Sequence, residues 1–147
     1  MRPNGSASPA PELFSSVWAE RLERELTASE TYRAAAASWK GSLAFVLLPD
    51  GSPGFPEKRE LFLDLAHGGP RAVRPALPGD MAQATFCLQG PAATWRRLLH
   101  GDLAPGAAVM GGGLKLVRGS MFSLLPHLAA AQALFECARD VPFVETP

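Results

Sequence analysis

Two cysteines, Cys87 and Cys137, are too few for a disulfide framework in a chain of 147 residues. Each lies in an apolar stretch that suits a reduced, structural thiol. A charge excess of either sign is missing too, because fourteen basic residues offset fourteen acidic ones. Wrapping a polyanion needs a clustered basic excess, so nucleic acid is not an expected partner. No apolar run in the sequence approaches the roughly 18 residues of a membrane span. The opening MRPNGSASPAPELF has one Arg and no apolar core, unlike a secretory signal. What remains is a composition of 47% hydrophobic and 19% charged residues, inside the globular range and outside the disordered one. The expectation is one soluble, cytoplasmic domain able to bury about 70% of its unfolded surface.

Pro3, Gly5, Pro9 and Pro11 mark residues 1–11 as a loose leader. From Leu13, apolar residues recur at three- and four-residue steps through Phe14, Val17, Trp18, Leu22 and Leu26, with charges between them. That spacing predicts an amphipathic helix. Thr27-x-x-Glu30 has capping-box spacing, predicting a short second helix over 32–37. Leu43–Leu48 reads as a strand closed by Pro49-Asp50-Gly51, and Glu60–Ala66 as an alternating strand. Arg71–Arg74 and Gln83–Leu88 follow as strands, then a helix from Pro91 and another over Pro105–Met110. Leu114–Arg118 is the fifth strand. A long helix ends near Arg139, with Pro126 in its first turn if Ser123 is the cap and at a kink otherwise. The order predicts an α+β fold, a mainly antiparallel sheet of about five strands covered on one face by helices. The domain is placed at 12–140, with 141–147 as a C-terminal tail.

Candidate chemistry is sparse. His67, His100 and His127 have no second ligand at metal spacing, and neither cysteine forms C-x-x-C. Ser120 and His127 share a region, but no nucleophile-elbow motif is present. Gly111–Gly113 has a helix before it and a strand after it, the reverse of a phosphate loop. Asp64 and Asp102 stand alone. No catalytic residue, cofactor or metal is expected. The conspicuous feature is apolar: Val109, Met110, Met121, Leu125 and Leu128 gather around a strand carrying Leu114 and Leu116. An ordinary core with Met as filler and a lined cavity for a hydrophobic ligand give the same pattern.

Three motifs then coincide. Gly90-Pro91-Ala92-Ala93-Thr94-Trp95 is followed by Gly101-Asp102-Leu103-x-Pro105 and by Gly113-Leu114-Lys115-Leu116-x-x-Gly119-Ser120-Met121. Their order and spacing resemble the sterol carrier protein 2 (sterol-binding domain) family, as does Trp39-Lys40-Gly41-Ser42-Leu43 at the first strand. The resemblance spans about residues 13–140. It implies a five-stranded sheet under helices and a hydrophobic tunnel for fatty acids, acyl-CoA, sterols or other lipids, with no catalytic residues. On that basis the ligand site is expected between sheet and C-terminal helix. Phe86, Leu88, Leu114 and Leu116 supply floor positions, and Val109, Met110, Met121, Leu125 and Leu128 supply walls. Lys115 or Arg118 is the candidate contact for a charged ligand head. The partner is a hydrophobic small molecule, and the alternative is an accessory domain serving a partner enzyme.

Overall fold

The computed structural model describes residues 10–144, so most of the expected leader and residues 145–147 lie outside it. Leu13 and Phe14 precede the first helix rather than joining it. That helix, α1 (Ser16–Ala28), starts at Ser15, whose hydroxyl accepts from the Trp18 amide. Phe14 holds φ at +66°, an uncommon conformation for a bulky residue. Its ring reaches Trp18 and Trp95 at centroid distances of 5.6 and 5.4 Å, so aromatic packing fixes this turn. Val17 is exposed, and the buried stripe is Trp18, Ala19, Leu22 and Leu26. The second helix, α2 (Glu30–Ala35), is capped by Ser29, which accepts from the Tyr32 amide at 3.0 Å. Thr27 instead donates back to the Glu23 carbonyl.

The strands are β1 (Lys40–Leu48), β2 (Arg59–Ala66), β3 (Gly69–Pro75), β4 (Phe86–Pro91) and β5 (Lys115–Arg118). They lie in the order β3-β2-β1-β4-β5. β1–β2, β2–β3 and β4–β5 are antiparallel, and β1–β4 is parallel. The sheet is therefore mixed, and the parallel step requires a crossover. Gln83 belongs to that crossover, at the end of the short helix α3 (Asp80–Gln83), and not to a strand. Asp80 makes the turn: it accepts from the Leu77 amide at 2.6 Å and pairs with Arg74. Alternation of apolar residues does not report a turn that is held by side-chain hydrogen bonds.

One face of the sheet, with Leu43, Phe45, Leu47, Leu61, Leu63 and Leu65, packs against α1, α2, α4 (Ala92–Leu99), α5 (Pro105–Met110) and α7 (Leu128–Arg139). The other face buries Ala44, Val46, Phe62 and Cys87 with Ala84, Ala76 and Met81 of the crossover. Long helices thus cover one face, as expected, and a folded-back connection covers the other.

The last helix is broken. Ser120 caps α6 (Met121–Leu124), its hydroxyl accepting from the Ser123 amide. A 3-10 turn, Leu125–His127, contains Pro126 and leads into α7. Proline has no N–H to continue the ladder, so the chain tightens there. Together these pieces make a helical run of 19 residues, Met121–Arg139, with mean hydropathy 1.2. By length and composition it reaches a membrane span, contrary to the expectation from single apolar runs. Of its window, 39% is buried in the fold. Beyond it, Val144 bridges to Glu12 and donates to the Pro11 carbonyl.

Candidate functional site: an apolar cavity under the C-terminal helix

Between the helix-covered face of the sheet and α7 lies a narrow apolar cavity with about 30 Å³ of free space. Leu43, Phe45, Leu65 and Leu88 form its floor. Alternation sets that choice, since each of these points away from the Ala44–Val46–Cys87 face. Val109 and Leu114 close one side, and Tyr32 and Trp39 close another. The roof is Leu124, His127, Leu128, Ala131 and Leu134, from α6 to α7. The wall is almost wholly carbon, and side chains meet across the space to leave room for no more than a water or two. A ligand chain therefore enters only if roof and floor separate.

The structure brings four expected site residues, Leu88, Val109, Leu114 and Leu128, to this wall. Phe86 is buried one layer behind it, stacked on Trp39 at 5.6 Å. Leu116 and Met121 pack partly buried on the core beside it. Met110 is 77% exposed and Leu125 47% exposed, so both face outward. The expected head-group contacts also lie elsewhere. Arg118 pairs with Cys87 and Lys115 with Gln89 across the ladder, placing both on the sheet face opposite the cavity. The Arg118 guanidinium donates to the Ala84 carbonyl at 2.6 Å. The expectation that either meets a ligand head at the mouth is corrected accordingly.

Polar atoms near the wall are few. Trp39 Nε1 donates to the Gly41 carbonyl, and the His127 ring stands edge-on to Trp39 at 4.6 Å. Tyr32 is fully buried, and burial pushes its hydroxyl up to about 12, with Cys137 adding to the shift. Burial also pushes the Cys87 and Cys137 thiols up, and both are free. Ser120 is occupied as a helix cap, its hydroxyl bonded to Ser123. Among the described residues no group of His, Cys, Asp and Glu could hold a metal ion.

Two glycines of the three motifs sit where backbones approach closely. A Cβ on Gly90 would lie 2.7 Å from the Gly113 carbonyl oxygen. Gly119 has φ +90°, and a Cβ there would lie 2.7 Å from the Thr85 carbonyl oxygen. Glycine alone permits both approaches, which hold β4, α5 and β5 together beside the cavity.

Residues 19–125 match the profile of the SCP-2 sterol transfer family. The chain belongs to that family. A crystal structure of sterol carrier protein 2 is 41% identical, with 89% of this chain and all of that one aligned at a TM-score of 0.80. A possible sterol carrier protein from Thermus thermophilus, solved in solution, is 40% identical over 95% of this chain and 96% of its own, also at 0.80. Palmitated SCP2L2 from Aedes aegypti shares the fold at a TM-score of 0.53 and 16% identity, over 84% of this chain and 94% of its own. No curated protein matches the sequence. Membership makes this SCP-2 domain a lipid-binding one in the general sense.

Proposed function

We propose that this chain binds a hydrophobic ligand with a long apolar part, a fatty acyl chain or sterol-like lipid, in the cavity beneath α7, and carries it without chemical change. The observation that supports this is the nearly all-carbon wall set within an SCP-2 domain. Burying a methylene yields about 0.8 kcal/mol, so a chain of about sixteen carbons yields roughly 13 kcal/mol gross. Association and ordering cost about 4–15 kcal/mol, and separating the roof from the floor adds to that cost. The balance favours moderate, reversible binding, which suits a carrier. The relative from Aedes aegypti is palmitated, in keeping with an acyl ligand. Residues 12–140 form the proposed binding unit, acting in the cytoplasm.

Native mass spectrometry of the purified protein is the direct test: co-purified lipid is expected, and displacement of a fluorescent fatty acid gives the affinity. Absence of both overturns the carrier reading. The narrowness of the resting cavity favours one second reading. In it the domain is an accessory to a partner enzyme, presenting a lipid-like intermediate or having lost ligand binding.

A further inference from the structure

One polar group of the cavity wall has no partner within the protein. Tyr32 lines the cavity and is 1% exposed. Its backbone amide is taken by the Ser29 cap, but among the described residues its hydroxyl forms no hydrogen bond. The ionisable group that acts on it, the Cys137 thiol, donates to the Glu25 carbonyl instead. Proteins pair nearly all of their buried polar groups, and one left unpaired is costly. An orphan hydroxyl in a cavity wall therefore points to a partner that is not part of the chain.

The surroundings select the chemistry of that partner. Of the other wall side chains, only Trp39 and His127 carry polar atoms. Trp39 Nε1 is committed to the Gly41 carbonyl, and His127 is half-buried in the roof with its ring against Trp39. A water needs two to four polar partners to be held, and this wall offers few. A ligand oxygen carried on an apolar body needs only one. A tyrosine hydroxyl donates to a carbonyl or hydroxyl oxygen and also accepts from a hydroxyl. An ionised carboxylate fits badly, because no Lys or Arg lines the wall. A buried charge without a counter-ion costs far more than a neutral oxygen.

We propose that Tyr32 determines the ligand specificity of the cavity, its hydroxyl bonding an uncharged oxygen, hydroxyl or carbonyl, of a lipid whose remainder fills the carbon wall. The inference rests on the carrier reading and narrows its ligand to alcohols, sterol-like alcohols and esters. An ionised fatty acid keeps its carboxylate in water at the mouth and gains nothing from Tyr32.

The test compares the unmodified chain with Tyr32→Phe, which removes the oxygen and keeps the ring. Displacement of a fluorescent fatty acid is measured with 1-hexadecanol, methyl palmitate, palmitate and hexadecane as competitors. Tyr32→Phe should weaken the alcohol and the ester about fivefold to tenfold and leave palmitate and hexadecane within about twofold. The melting temperature of the ligand-free variant should be unchanged or higher, since no hydrogen bond within the protein is lost. Weakening of the alcohol alone, or of the ester alone, supports the proposal and says which oxygen is bound. Equal affinities of the two proteins for every competitor overturn it and leave the carrier reading standing. A lower ligand-free melting temperature with uniform weakening of all four competitors overturns it in favour of a structural hydroxyl. Weakening of palmitate alone overturns it in favour of a charged head. If the unmodified protein binds neither probe nor competitor, the carrier reading falls and the proposal with it.

Discussion

The two faces of the sheet bury their side chains by different means. On the helix side, Leu43, Phe45, Leu65 and Leu88 meet elements from across the chain, and a slot remains beneath a roof broken at Pro126. On the crossover side, Ala44, Val46, Phe62 and Cys87 are covered by a single connection, pinned by Arg74 and Asp80. There Ala44, Val46 and Cys87 are small, and one connection packs directly on them and on Phe62. The difference teaches that a cavity needs large, separately supported elements, because a single loop collapses onto whatever it covers.

The comparison is broken most strongly at Phe45, which stacks on Phe135 at 5.5 Å and tilts over Trp95 at 5.0 Å. Phe45→Ala is expected to cost about 3–5 kcal/mol in urea unfolding. A loss under about 1 kcal/mol would mean that the floor is already loose.

The faces should also fail at opposite ends of the pH scale. Tyr32, on the helix side, ionises near 12 when folded against an ordinary 10. Its neutral state thus supports the fold fully below about pH 10, and that support is lost as pH rises toward 12. About two units amount to up to roughly 2.7 kcal/mol. Tyr32→Phe should remove this alkaline loss, read from melting temperature against pH. On the crossover side, the Arg74 guanidinium and the Leu77 amide hold the Asp80 carboxyl below the usual carboxylate range. Its contribution is present above the ordinary carboxylate pKa and is lost as pH falls. Asp80→Asn should blunt the acid limb and leave the alkaline limb unchanged.

A sharper contrast comes from adding volume. Val46→Phe overpacks the crossover face and should cost about 1–3 kcal/mol. Leu128→Trp, at a half-buried position on the roof, should cost less than Val46→Phe and should abolish fluorescent fatty-acid binding. Equal costs would show that the slot is as solid as the opposite face. The smallest effect concerns the thiols: Cys87, on the crossover face, and Cys137, in α7, should react slowly with a thiol reagent when folded. Two free thiols should appear on denaturation.

Much of this architecture was legible before any coordinates. The strands Leu43–Leu48 and Glu60–Ala66, and the helix over Pro105–Met110, follow from periodicity and turn residues that act within a few positions. Gln83 was not legible as helix, because the turn at Asp80 depends on Arg74 on a neighbouring strand. At the site, Leu88, Val109, Leu114 and Leu128 could be picked out by their apolar neighbourhood. Trp39, Phe45 and Leu65 could not, although strand parity marks Phe45 and Leu65 once the sheet order is known. Met110 and Leu125 read as cavity walls by residue type, yet each ends on the outside of its helix.

By itself, then, the sequence determined which segments are helix or strand and where glycine must stand, because propensity, alternation and backbone sterics are local. Through its three spaced motifs it also determined the family. Tertiary structure alone decided the parallel pairing of β1 with β4 and the outward turn of Phe122. Each of these depends on contacts between residues far apart in the chain, where packing outweighs local preference.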